Sequence, residues 1–253
     1  MLASARHEII LNQLEHTTTV SIRDLTQLLG VSRETVRKDI DYLAEAAKLQ
    51  KIRGGATRIR SQEIPMESRA QINISGKRRI ANVLADLIPD GSSLFLDNGS
   101  STLAVAQALS QHRSLTVYTN DFAVARQIAP NCQELVFLGG QIDTQEMATI
   151  GVETTDQVRQ YHADIAVISA GGLSAQALIT DFSKDVVSFR AQMLRNGGQR
   201  FVIADKEKFG VLGRVAMPVP PKGTCIVTDE RPDADVIAAI AQNDLTLRVA
   251  GSH

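Results

Sequence analysis

Two groups of residues have types and spacings suited to binding chemistry. The first lies in G-V-S-R-E-T-V-R-K-D-I-D-Y-L, residues 30–43, where Ser32, Arg33, Thr35, Arg37 and Lys38 cluster in one short segment. An arginine fork there can bridge O6 and N7 of guanine, while a lysine and a helix N-terminus suit phosphates. Lys51 and Arg53 follow in L-Q-K-I-R-G-G-A-T-R-I-R, beside Gly54 and Gly55. The second group is a series of polar endings to apolar runs: Asp97-Asn98-Gly99-Ser100-Ser101-Thr102, Thr119-Asn120, Gly139-Gly140, Ala170-Gly171-Gly172 and Asp205. Carboxylates, amides, hydroxyls and close-approach glycines together suit a polar, oxygen-rich ligand.

The first group needs helices to present it. Residues 4–15 place Ile9, Ile10 and Leu14 on one side of an amphipathic helix. In V-S-I-R-D-L, Ser21 is an N-cap, Asp24 completes a capping-box pattern, and Val20 can staple onto Leu25; this helix runs to Leu29 and stops at Gly30. The pattern repeats as V-S-R-E-T-V, with Ser32 the cap, Val31 stapling to Val36, and Glu34 near the positive helix end. Two capped helices separated only by Gly30 and Val31 must cross steeply, the helix-turn-helix geometry. The stripe Val36, Ile40, Leu43 faces inward, leaving the basic N-terminal half outward, the part that enters a major groove in such motifs. The glycine pair with flanking basic residues reads as a hairpin wing that can lie along the backbone or minor groove. A solvated face of a three-helix bundle used for dimerisation or protein contact is the plainer alternative, and the basic wing weighs against it.

The second group needs a sheet. From residue 77 the chain alternates helices such as K-R-R-I-A-N-V-L-A-D-L-I with apolar strands such as S-S-L-F-L-D, L-T-V-Y-T-N and D-I-A-V-I-S-A-G-G. Such alternation indicates βα crossovers around a mainly parallel sheet, so the fold class is α/β. Ligands of open α/β sheets bind beyond the carboxyl ends of the strands, where the polar residues fall. D-N-G-S-S-T adds hydroxyls ahead of a helix N-terminus, a phosphate-favouring arrangement; a capped βα turn is its plainer reading. Residues 59–76, polar and holding Pro65, read as a linker between a domain at 1–58 and a larger one at 77–253. No G-x-G-x-x-G or G-x-x-x-x-G-K-[ST] occurs, and no cofactor is indicated.

Composition sets outer bounds. The chain has 253 residues, 43% of them hydrophobic, enough for a real core with one large and one small domain. No apolar run reaches the roughly 18 residues of a membrane span, and M-L-A-S-A-R-H-E-I-I-L-N-Q-L-E-H has charges within its apolar stretch and no signal-peptide cleavage site; a cytoplasmic location is expected. Cys132, Cys225 and five histidines form no C-x-x-C or H-x-x-x-H, so neither a disulfide framework nor a metal is indicated, and both cysteines read as ordinary buried residues. The net charge of −1 is uninformative, but residues 1–60 hold ten Lys/Arg against seven Asp/Glu, a slight basic excess.

V-S-R-E-T-V-R-K-D-I-D-Y-L followed by K-I-R-G-G-A closely resembles the signature of DeoR-type winged-helix repressors. The resemblance continues through D-N-G-S-S-T at 97–102, T-N at 119–120, G-G at 139–140, Gly151 and D-K-E-K-F-G at 205–210. It implies an effector domain akin to the ribose-phosphate-isomerase and CoA-transferase group of folds, sensing a phosphorylated sugar or sugar catabolite. In T-D-F-S-K-D-V-V-S-F-R, Asp185 and Arg190 stand where such proteins often carry glutamate and lysine; the shorter carboxylate and forked cation alter which ligand fits. The resemblance further implies that Lys208 helps hold a ligand anion and that Asp97 or Asp181 accepts hydrogen bonds from sugar hydroxyls.

The reading that joins both groups is a repressor of a carbohydrate-catabolism operon, bound to a double-stranded DNA operator and controlled by a phosphorylated sugar. Its two-fold half-sites call for a homodimer or homotetramer. A sugar-phosphate-isomerase-like enzyme with an accessory module, using Asp97, Asp181, Asp185, Asp205 or Lys208 as acid and base, is the alternative, although no motif fixes a catalytic pair. A purely architectural DNA binder would leave the polar strand ends without a role. Arg37→Ala is expected to weaken specific DNA binding by roughly 1 to 3 kcal/mol with the fold intact; unchanged operator affinity in a fixed-salt titration would remove Arg37 from the reading surface.

Overall fold

The computed structural model describes residues 1–17, 19–46, 48–52, 54–57 and 63–251. Its first unit comprises α1 (Ala3–His16), β1 (Thr19–Ser21), α2 (Ile22–Leu29), α3 (Arg33–Glu45), β2 (Gln50–Ile52) and β3 (Gly55–Thr57). The helix starts form as their caps dictate. Ser21 Oγ accepts from the Asp24 amide at 3.0 Å and donates to its carboxylate at 2.7 Å, and Ser32 Oγ accepts from the Thr35 amide at 3.1 Å. Gly30 takes a left-handed φ of 64° and turns the chain between α2 and α3. Val36, Ile40 and Leu43 pack against Ile10, Leu14, Leu25 and Leu29 in one buried cluster.

The wing is a three-stranded sheet in the order β1-β3-β2, with both pairings antiparallel. Strand β1 was not foreseen, because its residues also lead into the α2 cap. The close approach explains Gly55: a Cβ there would lie 2.0 Å from the carbonyl oxygen of Val20. A second unforeseen feature is a polar clamp between α1 and α3. Asp39 accepts from Arg6 Nε at 2.6 Å and Nη2 at 2.9 Å, with His7 Nε2 at 3.0 Å. Burial opposes the charge, but the bonds from Arg6 and His7 prevail and hold the Asp39 carboxyl below its ordinary value.

The second unit follows as α4 (Met66–Gln71), α5 (Ile74–Ala85), β4 (Ser93–Leu96), α6 (Ser100–Ala108), β5 (Leu115–Thr119), α7 (Phe122–Ile128), β6 (Cys132–Phe137), β7 (Gln141–Asp143), β8 (Ala148–Ile150) and α8 (Val152–Val158). It continues as β9 (Ala163–Ser169), β10 (Gly172–Ser174), β11 (Leu178–Asp181), α9 (Lys184–Asn196), β12 (Gly197–Ala204), β13 (Val215–Ala216), β14 (Cys225–Thr228), α10 (Ala234–Gln242) and β15 (Thr246–Val249). The stretch read as a linker therefore holds α4 and the start of α5, and Arg69 within it is buried. Its polar composition concealed this, since the helix is short and its burial is mostly through charge pairing. The two cysteines are half-buried rather than buried, at the starts of β6 and β14.

The main sheet has seven parallel strands in the order β15-β14-β12-β9-β4-β5-β6. Successive strand residues feed opposite faces. Leu94, Leu96, Ile165 and Val167 join the α5, α6 and α7 side, whereas Phe95, Ala166 and Ile168 join the side covered by α8, α9 and α10. Burial on both faces is why these strands read as unbroken apolar runs. Order reverses between β4 and β9: the chain steps from β4 out to β6, then returns to β9 and steps the other way. That switch point is where an open α/β sheet forms its crevice. No helix among the described residues is long and apolar enough to cross a membrane.

Gly55→Ala is expected to force β1 and β3 apart, destabilising the first unit by about 1 to 3 kcal/mol and weakening DNA binding. Calorimetry resolving the two units would show the loss confined to the first; an unaltered melting profile would refute the close-approach argument.

Candidate functional site

The candidate DNA face comes from α3 and the wing. Arg33, Arg37 and Lys38 are exposed, and Arg37 has only a loose partner, Glu34 at 3.8 Å. Ser32 is exposed and Thr35 half-buried; their hydroxyls lie 2.9 Å apart and hold the start of α3 as well as facing outward with it. Lys51 is exposed on β2 and paired with Asp41 of α3 at 2.5 Å, which ties wing to helix. Arg53 lies outside the described residues. Tyr42, absent from the sequence-based set, is exposed on α3 and stacks on His7 with ring centres 4.9 Å apart.

At the switch point of the large sheet, the end of β4 meets the end of β9. Asp97 Oδ2 accepts from the Ser169 amide at 3.0 Å and from Arg190 Nε at 2.6 Å. The same guanidinium reaches Asp181 through Nη1 and donates from Nη2 to Ser169 Oγ at 2.9 Å. Arg190 is 2% exposed, Asp97 0% and Asp181 3%. Burial alone would discharge Arg190, but the facing carboxylates of Asp97 and Asp181 outweigh it and push its pKa upward. For Asp97 burial wins over Arg190 and the Ser169 amide, so its carboxyl lies above the ordinary value.

Around this ion cluster lie buried acceptors with no partner among the described residues: Asp97 Oδ1, Asn98 Oδ1 and Asn120 Oδ1. They line adjacent strand ends, since Leu96 pairs with Thr119 in register. Helix α6 starts immediately beyond, at Ser100, with Gly99 at φ 125° and no side chain capping its amides. The three hydroxyls of 100–102 thus belong to the first turn rather than preceding it, and Thr102 Oγ1 donates back to the Gly99 carbonyl at 2.8 Å. Asp121 braces the loop by accepting from the Gly99 amide at 3.0 Å.

Charged side chains of both signs lie beside this helix end. A Cβ on Gly99 would lie 3.8 Å from Arg69 Nη1, which itself donates to Glu63 at 2.7 Å, while Nη2 pairs with Glu146. Lys208 Nζ reaches the same Glu63 oxygen at 3.5 Å. Lys77 donates to the Ile72 carbonyl at 2.8 Å and to that of Arg69. Burial lowers the Lys77 pKa and opposes the charge of Glu63, but Lys208, Arg69 and Arg190 hold the Glu63 carboxyl below its ordinary range. The cavity here, lined by Ile64, Arg69, Ile72, Lys77, Ser100 and Lys208 together with the carboxylates Asp205 and Glu207, measures about 40 Å³.

Other expected residues have structural engagements. Gly139 exchanges both backbone groups with the Gln157 amide at 3.0 and 2.9 Å, and a Cβ on Gly140 would strike Thr154 Oγ1 at 2.1 Å, so this pair seats α8. Gly172 lies where a Cβ would meet the Val211 carbonyl oxygen at 2.1 Å, and Gly171 packs against Thr180 and Asp181. Thr119 Oγ1 accepts from the Asp121 amide at 3.2 Å, and Asn120 Nδ2 donates to the Thr149 carbonyl at 2.8 Å. Asp205 is buried, caps the turn at 206–208, and lies 3.4 Å from Asn73 Nδ2. Asp185 is exposed on the first turn of α9 and does not join the cluster. Glu63, Arg69, Asn73, Lys77, Ser169 and Glu146 were missed; most lie in polar stretches without periodicity, and only Ser169, ending an apolar strand, had a legible signal.

The arrangement offers hydrogen-bond acceptors and paired charges. Its central carboxylates are locked on one guanidinium, which leaves no free acid and base pair. Arg190→Met would leave Asp97 and Asp181 buried without a counter-charge, and the second unit is expected to lose about 3 to 5 kcal/mol. Urea unfolding would measure this; adding Asp97→Asn and Asp181→Asn should recover much of the loss, and a simple further decrease would contradict the charge argument.

Residues 6–62 match the DeoR-like helix-turn-helix domain, and residues 72–230 match the DeoR C terminal sensor domain. The chain is 27% identical over 251 residues to the glycerol-3-phosphate regulon repressor of Escherichia coli (strain K12), covering 98% of this chain and 100% of that protein. It is 30% identical over 211 residues to the protein of that description in Haemophilus influenzae, covering 83% and 82%, and 28% identical to the HTH-type transcriptional repressor CsqR of Escherichia coli (strain K12), covering 98% and 95%. Ribose 5-phosphate isomerase A of Methanocaldococcus jannaschii superposes with a TM-score of 0.40 at 17% identity, over 54% of this chain and 55% of that one. With a capped helix pair and wing at one end and a polar switch-point crevice at the other, both matched in order, the chain belongs to the DeoR family: it is a DNA-binding transcriptional regulator with a C-terminal sensor domain, not an enzyme.

Proposed function

We propose that this regulator represses a carbohydrate-catabolism operon and that a phosphorylated sugar or related catabolite, bound at the switch point of the large sheet, sets its hold on the operator. One observation carries the effector reading: unpartnered buried acceptors at Asp97, Asn98 and Asn120 adjoin an uncapped helix N-terminus rimmed by Arg69 and Lys208. Acceptors inside suit donor hydroxyls of a sugar, and free amides with cations beside them suit its phosphate. Two relatives are repressors of glycerol-3-phosphate regulons, which agrees with that chemistry.

In this reading Arg33, Arg37 and Lys38 address bases and phosphates in a major groove, with Thr35 and Ser32 at the helix start and Lys51 beside them on the wing. A homodimer or homotetramer supplies the two reading helices that a two-fold operator requires, and the protein acts in the cytoplasm. The unit at 1–58 serves as reader and that at 77–253 as sensor, with 63–76 forming part of the sensor's rim. Control needs the ligand to prefer the arrangement in which the reading helices are misplaced on DNA.

A thermal-shift screen of sugar phosphates, followed by operator-release titration at constant salt, tests this. Ser100→Asp is the matching variant: a carboxylate at the first turn of α6 suits the helix dipole, so the fold should persist, yet it repels a phosphate. We expect operator binding to be retained and the effector response to be lost. A response in Ser100→Asp equal to that of the unmodified protein would exclude phosphate binding at this helix.

A further inference from the structure

Glu63 occupies an unusual position for a residue outside any helix or strand. Its carboxylate lies 2.7 Å from Arg69 Nη1 and 3.5 Å from Lys208 Nζ, two side chains that line the small cavity at Ser100. A carboxylate held by two cations beside an uncapped helix N-terminus is arranged as a bound anion would be. Ile64 covers the same cavity, and its volume of about 40 Å³ admits one or two waters but no sugar phosphate. A sugar phosphate seated between Arg69 and Lys208 in this cavity must therefore displace Ile64 and, with it, the neighbouring Glu63.

That chain leads directly to the DNA-reading unit. Thr57, the last residue of wing strand β3, donates from Oγ1 to the Gly210 carbonyl at 2.8 Å. Gly210 closes the turn that carries Lys208, since the Lys208 amide donates to Asp205 at 2.9 Å and the Gly210 amide to Leu173 at 2.8 Å. Two ties to the sensor follow one another along the chain, Thr57 of the wing on Gly210 and Glu63, six positions later, on Lys208 and Arg69. Both ties meet the segment 205–210.

We propose that the Glu63 carboxylate is a built-in stand-in for the effector's anionic group: it occupies the Arg69 and Lys208 site, and a phosphate monoester displaces it. This rests on the effector reading above and adds the route by which occupancy reaches the wing. Displacement removes one of the two ties while the same cations turn to the ligand, so binding and release are one exchange of carboxylate for phosphate. Arg69 keeps Glu146 as its second partner throughout, which holds its guanidinium in place. Its Nε, buried and without a partner among the described residues, is a further donor for the incoming anion.

Full-length protein and inorganic phosphate as the probe provide the test. Glu63→Gln keeps the size of the side chain but cannot compete as an anion, so the Kd for phosphate by calorimetric titration should fall roughly five- to tenfold. Operator affinity of Glu63→Gln without phosphate should drop to the level of the unmodified protein saturated with phosphate. Glu63→Ala should act in the same direction, which separates charge removal from a packing effect of glutamine. Equal phosphate affinity in the unmodified protein and Glu63→Gln, or tighter phosphate binding with unchanged operator affinity, would overturn the stand-in role while leaving the effector reading in place. If the unmodified protein responds to no sugar phosphate and to no inorganic phosphate, the effector reading fails and this proposal with it.

Discussion

A single guanidinium shared by two carboxylates, sealed at the point where the sheet reverses its strand order, is the constraint on which the rest of the sensor depends. Arg190 reaches Asp97 at the end of β4, Asp181 at the end of β11 and Ser169 at the end of β9, so one side chain of α9 fastens three strand ends. Burying these charges is unfavourable unless each is paired and hydrogen-bonded, and the geometry meets that condition for all but one oxygen, Asp97 Oδ1.

The same pairing fits a sensor domain better than a catalytic one. A general acid and base need proton affinities that can change during turnover, with room to reach the substrate. Here the central carboxylates are fixed on an arginine that does not give up its proton. What remains available is directional hydrogen bonding and an anion-favouring helix end, which confer recognition. Binding energy spent there alters the balance between arrangements of the chain, and a coupling of roughly 1 to 3 kcal/mol suffices for allosteric control.

The small N-terminal unit follows the same economy on a different scale. With a limited core, it relies on two serine caps, a left-handed glycine and the Asp39 clamp to fix the angle between α2 and α3 and to anchor α1. The exposed arginines of α3 are therefore presented from a rigid base. The wing is less independent: Thr57 of β3 donates to the Gly210 carbonyl, so the hairpin rests on the segment that carries Lys208.

Local chemistry was legible in the sequence. Caps at Ser21 and Ser32, the stop at Gly30, the inward stripe of α3 and the doubly buried parallel strands all depend on partners within about one helical turn or on a repeating pattern. The family resemblance placed Arg190 near the ligand site. It did the same for Asp185, and the structure separates the two because they point to different sides of α9. Pairings across long stretches of chain were not legible: Arg190 and Asp97 are 93 positions apart, and Arg69 and Glu146 are 77 apart. Nor could sequence distinguish Gly99, which opens a helix end, from Gly139 and Gly140, which seat α8. The sequence by itself determined the elements, their order and the chemistry at their ends, because those follow from short-range hydrogen bonds and the alternation of apolar residues. Only the tertiary structure decided which charges meet and which polar atoms are left for a ligand, because strand order and the crossing of helices set those distances.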